Sequence, residues 1–258
     1  MSQKKLERHF TTVDPVLGGI VSLAGPFTVK RREDRSVFET LARSIASQQL
    51  SGVVARKILE RLEALFGGRF PSPADIAAAD PLALRGVGFS FAKIAALKDL
   101  AARTQDGTLP PDADLAALDD EAVIERCVTV RGIGRWTAEM LLMFTLGRPD
   151  VLPVDDFGVR NGFRLAYGLK GLPHPRALHE YGERWRPFRS AAAWYLWRAV
   201  DLHREAKLPK RTGRAPRITV VLPKPKAAVT AKPVAKTKTK TKAKARAKAK
   251  PKKKARPK

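Results

Sequence analysis

A glycine hairpin in the second half of the chain has the residue types of a phosphate-binding site. Gly132 and Gly134 bracket Ile133, and this spacing predicts a tight turn through positive φ with Ile133 packed into the core. The helix after the turn would begin with free backbone N–H groups, which favour anions. Because Arg131 and Arg135 flank these groups, we expect the anion to be a phosphate.

Two adjacent carboxylates, Asp155 and Asp156, follow Pro153 at the predicted start of a further helix. Negative charge is favoured at a helix start, so simple capping explains either residue. A carboxylate close to a phosphate-binding unit can also stabilise positive charge that develops during a reaction. The residue types alone therefore leave both roles open.

The apolar periodicity predicts an all-α fold of about ten helices between residues 35 and 208. Ser36 and Glu39 have the spacing of a capping box, which predicts a helix that continues through Leu50. A second helix is expected over residues 52–66. Strand-type alternation is scarce along the chain.

N-cap residues and helix breakers predict the other boundaries. Ser72, Asp80 and Asp119 each precede proline or acids and predict helix starts. The helix that follows the hairpin is expected to end at about Leu146. Helix breakers ahead of Arg35 predict a loosely structured segment. These breakers are Pro15, Gly18, Gly19, Gly25 and Pro26.

Positive charge is concentrated at the C-terminal end. The chain has 258 residues, with 50 Lys and Arg, 25 Asp and Glu, and a formal net charge of +25. Residues 209–258 hold 20 of the bases and no acid, which leaves 30 bases and 25 acids in residues 1–208. This Lys-, Ala- and Pro-rich segment has little to bury, so we expect a disordered tail that binds DNA in a salt-dependent way. A solvated segment that only aids solubility is the alternative.

The composition also excludes several classes of protein. Cys127 is the only cysteine, so an internal disulfide is impossible and a reducing compartment is expected. The sequence has neither a signal-peptide core nor a long apolar run, which predicts a soluble cytoplasmic protein without a membrane partner. The histidines are scattered without ligand spacing, so we expect no metal and no cofactor.

Five blocks of the sequence resemble the helix-hairpin-helix, Gly/Pro...Asp superfamily of base-excision DNA glycosylases. The similarity is strongest to its alkylation-repair branch, the 3-methyladenine DNA glycosylases II. The resemblance extends over about residues 9–207. The blocks are IASQQLS from Ile45, RGVGFSFAKIAAL from Arg85, VRGIGRWTAEML from Val130, LPVDDFGVRNG from Leu152 and ERWRPFRSAAAWYLWR from Glu183.

The resemblance implies a two-lobed helical body over residues 1–208, with a DNA-binding cleft and the hairpin, about residues 120–146, on one lip. It implies the short form of the family, without an N-terminal β domain. The implied enzyme flips an alkylated purine such as 3-methyladenine out of duplex DNA and hydrolyses its N-glycosidic bond. We expect a monomer located at the nucleoid. The iron–sulfur loop of some relatives cannot be built with one cysteine.

The essential aspartate of this family follows the turn proline by two residues, which implies that Asp155 is catalytic. It would stabilise an oxocarbenium-like transition state and activate water. Asp156 is the alternative, although a helix cap is its more typical role.

Trp136 stands where relatives that also nick DNA carry a lysine nucleophile, which implies a monofunctional enzyme. Its ring would line the base pocket or pack in the core.

Trp197 falls where alkylation-repair relatives stack a ring on the extruded base, whose positive charge an indole face attracts. Without the resemblance, Trp194, Tyr195 and Trp197 would be interpreted as an aromatic core stripe.

Gln48 and Gln49 end a predicted helix. Gln49 aligns with the residue that fills the gap left by the flipped base, although the prototype has leucine there. Helix capping is the alternative for both glutamines.

The hairpin supplies the expected phosphate contacts. They are Arg131, Gly132, Ile133, Gly134, Arg135 and Thr137. A non-catalytic DNA-binding or chromatin-compacting protein is a competing function, but a purely binding hairpin does not need the acid of the Pro-x-Asp turn. A glycosylase for oxidised or mispaired bases is disfavoured by Trp136 and the missing cysteine cluster.

Overall fold

The computed structural model describes residues 2–29 and 31–209, which form helices and no β-strand. The helices are α1 (Gln3–Val13), α2 (Pro15–Ala24), α3 (Val37–Ser47), α4 (Gly52–Leu65), α5 (Pro73–Ala78), α6 (Pro81–Val87), α7 (Phe91–Gln105), α8 (Asp112–Ala117), α9 (Asp120–Val128), α10 (Arg135–Phe144), α11 (Phe157–Tyr167), α12 (Pro175–Gly182) and α13 (Arg189–Arg204), with a 3-10 turn over Glu183–Trp185. The predicted tail lies outside the described residues, except for Pro209. None of the described helices has the length and apolar content needed to cross a membrane.

The all-α prediction is confirmed, and the helices pack as two lobes. The pairs α1 with α2, α2 with α13 and α11 with α13 form one lobe. The pairs α3 with α4, α3 with α7, α4 with α6 and α5 with α7 form the other. The hairpin joins α9 to α10, and α10 also packs against α3. Trp136 in the first turn of α10 donates to Asp156, the N-cap of α11, so the hairpin unit contacts both groups of helices.

Most of the segment ahead of residue 35 lies in α1 and α2, so the prediction of a loose segment was wrong for residues 3–24. Pro15 occupies the first turn of α2, where its missing N–H costs nothing. Gly18 lies inside α2, and a Cβ at this position would come within 2.8 Å of the Thr11 Cα. The residues that resembled breakers thus start a helix and let two helices pack closely.

Asp14 fastens these N-terminal helices to the rest of their lobe. Its side chain accepts hydrogen bonds from the Tyr167 hydroxyl at 2.6 Å and from Trp185 Nε1 at 2.8 Å, and it also caps α2 at Leu17 N. Asp14 is 2 % exposed, and both aromatic residues are completely buried. A buried carboxylate is tolerated here because donors surround it.

Local signals predicted most helix starts well, whereas two helix ends differ from the prediction. Ser72, Asp80 and Asp119 are N-caps as predicted. Ser36 caps α3 through Glu39 N, but the Glu39 carboxylate pairs with an arginine and does not complete a capping box. Helix α3 ends at Ser47 instead of Leu50, and α10 ends at Phe144 instead of Leu146.

Candidate active site and nucleic-acid interface

The glycine hairpin has the predicted turn, with one correction. Gly132 has a φ of 78°, which favours glycine. Gly134 has a φ of −101° and caps α10, so only the first glycine adopts positive φ. Ile133 is 4 % exposed and packs in the core as predicted.

Free backbone donors cluster at the start of α10. The N–H groups of Gly134, Arg135 and Trp136 donate to no acceptor among residues 2–29 and 31–209. The next N–H, that of Thr137, is bonded to Gly134 O at 3.0 Å. A helix start with free donors attracts an anion. Arg131 is exposed beside it, and its own N–H is held by Asp99 at 2.7 Å.

The guanidinium of Arg135 was expected to face a phosphate, but in the structure it contacts two carboxylates. It donates to Glu121 at 2.9 Å and to Glu139 at 3.2 Å. The side chain is therefore occupied by two carboxylates, and Arg135 offers an incoming phosphate chiefly its backbone N–H. Thr137 is 7 % exposed and lines the neighbouring cleft.

A cleft of about 1090 Å³ lies between the hairpin and the loop that joins α3 to α4. Gly132 and Trp136 line it on the hairpin side, and Gln48 and Gln49 line it on the loop side. Four arginines also line it: Arg32, Arg35, Arg43 and Arg56. Glu60 and Glu63 line it too, and Glu63 pairs with Arg43, so the lining keeps a smaller excess of positive charge, which suits a polyanion.

Gln48 and Gln49 lie together at the cleft but have different environments. Gln48 Nε2 donates to Gly132 O at 2.7 Å, which ties the loop to the hairpin. Gln49 is exposed and has a φ of 58°, an unusual conformation for a residue other than glycine. Its side chain is therefore the one available to enter DNA.

Lys93 lies in the RGVGFSFAKIAAL block, but the sequence indicated no role for it; its side chain contacts the same loop. Its Nζ donates to Ala46 O at 2.6 Å and to Gln48 O at 2.8 Å. These carbonyls lie at the end of α3, where a cation is favoured. Partial burial lowers the pKa of the Lys93 ammonium.

A carboxylate and two indoles meet beside the cleft, and we call Asp156, Trp136 and Trp197 the indole–carboxylate cluster. Oδ2 of Asp156 accepts from Trp136 Nε1 at 2.8 Å, and Oδ1 accepts from Trp197 Nε1 at 2.8 Å. Oδ1 also accepts from Val159 N at 2.7 Å, which confirms that Asp156 caps α11. A carboxylate has about four acceptor positions, so this one keeps acceptor capacity on Oδ2.

Asp155 lies apart from the cluster. It is exposed, and its side chain makes no hydrogen bond within the described part of the chain. Its charge contributes to the raised pKa of Glu139, which places it towards that side chain. The catalytic role of Asp155 stays a prediction, and the geometry favours Asp156 for the same role.

The aromatic residues separate into core and cleft positions. Tyr195 is completely buried, and Trp194 packs edge-on against Phe27. Trp197 is partly buried and stacks on Phe144 with the ring centroids 6.0 Å apart. Trp136 is 48 % exposed, which excludes a purely core role. Only Trp197 of the α13 aromatics reaches the carboxylate.

Glu139, on the same helix as Trp136, is a buried carboxylate whose pKa is raised. Glu139 is 5 % exposed, and burial raises its pKa from 4.5 to about 7 despite the ion pair with Arg135. It lines a second cavity of about 470 Å³, in which Arg148 and Arg189 pair with Asp120 and Asp150. No group of three or more His, Cys, Asp or Glu within residues 2–29 and 31–209 could hold a metal ion.

Replacing Glu139 with glutamine should stabilise the protein in a pH-dependent way. Folding favours protonated Glu139, so the cost of ionising it appears as the pH rises from 4.5 to about 7. We expect the variant to gain up to about 3 kcal/mol over the parent protein across this interval. Urea unfolding at several pH values measures the gain, with Glu125→Gln as an exposed control. A constant difference between variant and parent would contradict the effect of burial.

Comparison with known proteins identifies relatives of this arrangement. The sequence profile of the HhH-GPD superfamily base excision DNA repair proteins matches residues 42–187. DNA-3-methyladenine glycosylase 1 of Schizosaccharomyces pombe is 39% identical over 203 residues, which are 78% of this chain and 89% of that protein. DNA-3-methyladenine glycosylase 2 of Escherichia coli is 34% identical over 169 residues, 62% of this chain and 56% of that protein.

Solved structures share the fold. The S. pombe 3-methyladenine DNA glycosylase Mag1, in complex with abasic DNA, matches with a TM-score of 0.70 and 39% identity, covering 80% of this chain and 100% of that one. The Bacillus halodurans DNA-3-methyladenine glycosidase matches with a TM-score of 0.71 and 32% identity, covering 80% and 92%.

Proposed function

We propose that this chain, which belongs to the HhH-GPD superfamily of base excision DNA repair proteins, hydrolyses the N-glycosidic bond of alkylated purines such as 3-methyladenine. The observation that carries this proposal is the Asp156 carboxylate, held by Trp136 and Trp197 beside a cleft that the glycine hairpin also lines. The cap of α11 needs only the hydrogen bond from Val159 N, so capping does not account for the two indole donors.

The reaction requires an extruded nucleotide. The free N–H groups at the start of α10 grip a phosphate, and the cleft arginines hold the rest of the backbone. The exposed Gln49 fills the gap left in the duplex when the base leaves the stack, and Gln48 fixes the loop that carries it. The partner is therefore duplex DNA that contains an alkylated base.

Catalysis depends on charge. An alkylated purine such as 3-methyladenine is cationic, and the Trp197 face attracts it by about 0.5–2 kcal/mol more than a neutral base. The glycosidic C–N bond breaks, its electron pair neutralises the base, and the sugar becomes oxocarbenium-like. Asp156 stabilises that cation and orients a water, whose oxygen bonds to the anomeric carbon while its proton is lost. The product is an abasic site.

Incubation with methylated DNA tests the proposed function. The protein should release 3-methyladenine and 7-methylguanine, which chromatography identifies, and the strand should stay intact until alkali is added. The Asp156→Asn variant is the control for contaminating glycosylases. A parent protein that binds this DNA without releasing any base would instead be a non-catalytic DNA-binding protein.

Borohydride should trap no covalent protein–DNA complex during turnover. Trp136 occupies the position of the attacking amine in bifunctional relatives, and an indole cannot form a Schiff base. Gel electrophoresis after reduction measures the adduct, with a bifunctional glycosylase as the positive control. An adduct as abundant as in the control would show that another amine attacks the sugar.

We also propose that residues 209–258 form a DNA-binding tail that keeps a monomeric enzyme at the nucleoid. Truncation after Lys207 should leave the single-turnover rate at saturating enzyme unchanged. The plot of log affinity against log salt should become shallower, because fewer counterions are released. Replacing the tail lysines with glutamine should act like truncation, and an unchanged salt slope would contradict the proposal.

A further inference from the structure

Helices α11 and α13 approach each other at two glycines of α11. A Cβ at Gly162 would overlap the carbonyl oxygen of Leu196, so this glycine lets the two backbones touch. A Cβ at Gly158 would lie 2.7 Å from Trp197 Cδ1, 2.9 Å from Trp197 Nε1 and 3.1 Å from Asp156 Oδ1. The space above Gly158 is therefore filled by the edge of the Trp197 ring.

Backbone conformation does not explain glycine at position 158. The residue lies inside α11 and does not have a positive φ. Alanine would favour the helix by about 1 kcal/mol over glycine at such a position. The position is instead limited by space, since even a methyl group would meet the ring and the carboxylate.

We propose that Gly158 is a positioning residue that sets Trp197 against Asp156 and thereby makes the base pocket selective for cationic bases. This inference rests on the proposed function. The missing side chain lets the indole N–H of Trp197 reach the carboxylate at 2.8 Å. Ring position and selectivity are then both consequences of one absent methyl group.

The geometry of Trp197 explains why its position affects selectivity. Phe144 covers one face of the ring in a near-parallel stack, with an interplanar angle of 21°. The proposal assigns the opposite face to the extruded base. Donation of the N–H to a carboxylate draws electron density into the ring, which strengthens attraction to a cation. A neutral base gains much less from the same change.

Two uncleavable duplexes separate the effect on charge from a general loss of binding. One carries 2′-fluoro-7-methylguanosine, which is cationic, and the other carries neutral 7-methyl-7-deazaguanine. The ratio of their affinities, measured by fluorescence anisotropy, should favour the cationic base by about tenfold in the parent protein. Gly158→Ala should lower this ratio severalfold, and Trp197→Phe should also lower it, because a phenyl face attracts a cation less strongly than an indole face. The double variant should be no worse than Trp197→Phe alone.

Gly19→Ala is the matched control. Gly19 also lies inside a helix, and a Cβ there would meet nothing within 4 Å. The control should keep the parent's affinity ratio. A Gly158→Ala variant with the control's affinity ratio would overturn the proposal.

An NMR measurement decides the positioning role without any activity. The indole resonance of Trp197, assigned by its loss in Trp197→Phe, should lie downfield in the parent protein and move upfield in Gly158→Ala. If the parent releases no base from methylated DNA, the proposed function and the selectivity fail, while this resonance still reports on Gly158. If the parent is active and the resonance does not move, only the positioning role is overturned.

Discussion

Replacing Asp156 with asparagine should lower the single-turnover rate of base release by about a hundredfold to a thousandfold. The amide keeps an acceptor for Val159 N and so preserves the cap of α11. It removes the negative charge that stabilises a developing oxocarbenium ion, and its NH2 group gives up the hydrogen bond from Trp136 Nε1. Rates with methylated duplex at saturating enzyme, together with binding to an abasic-site analogue, measure the change.

Asp155→Asn is the matched variant, because the two carboxylates are adjacent in the chain. Its rate should fall less than about tenfold, since a charge outside the cluster acts through solvent. A larger loss in Asp155→Asn than in Asp156→Asn would return the catalytic role to Asp155. Normal rates in both variants would show that the reaction does not depend on this turn.

Replacing Asp14 with alanine should reduce the free energy of unfolding by about 4 kcal/mol. The change leaves the Tyr167 hydroxyl and Trp185 Nε1 without an acceptor, and both residues are completely buried. It also removes the cap of α2 at Leu17 N. Urea unfolding followed by circular dichroism measures the loss.

Two variants separate the buried hydrogen bonds from charge alone. Asp14→Asn keeps one acceptor oxygen and should lose less stability than Asp14→Ala. Glu125→Ala, which removes an exposed acid from α9, should change stability by less than about 0.5 kcal/mol. If Asp14→Ala were as stable as this control, Asp14 would not be what fastens α1 and α2 to their lobe.

The sequence predicted the features that depend on neighbouring residues. N-caps at Ser72, Asp80 and Asp119 bond N–H groups two or three residues away, so their signal is contained in a short stretch of chain. The N-terminal helices were missed because Pro15 and Gly18 resemble breakers unless the Thr11 backbone beside them is known. That contact depends on how α1 and α2 pack.

The sequence identified most residues of the site, but it did not predict which of them contact one another. Trp136, Trp197 and the aspartate pair were all identified, yet the motif could not determine which aspartate faces the indoles. Asp156 is the N-cap of α11, so its side chain turns back to the first N–H groups of the helix, whereas Asp155 lies one residue outside it. Lys93 was missed because its acceptors are backbone carbonyls, which leave no trace in the sequence.

The hydrogen bond from Gln48 to Gly132 joins the loop and the hairpin in the protein without DNA. In the proposed function, we expect an interface held in this way to adapt little to the duplex, so that extrusion deforms chiefly the DNA. Base pairs weakened by damage open at lower cost than intact ones. We therefore expect part of the discrimination between damaged and normal DNA to come from how easily the duplex opens, a property that the protein can sense without contacting the altered atoms.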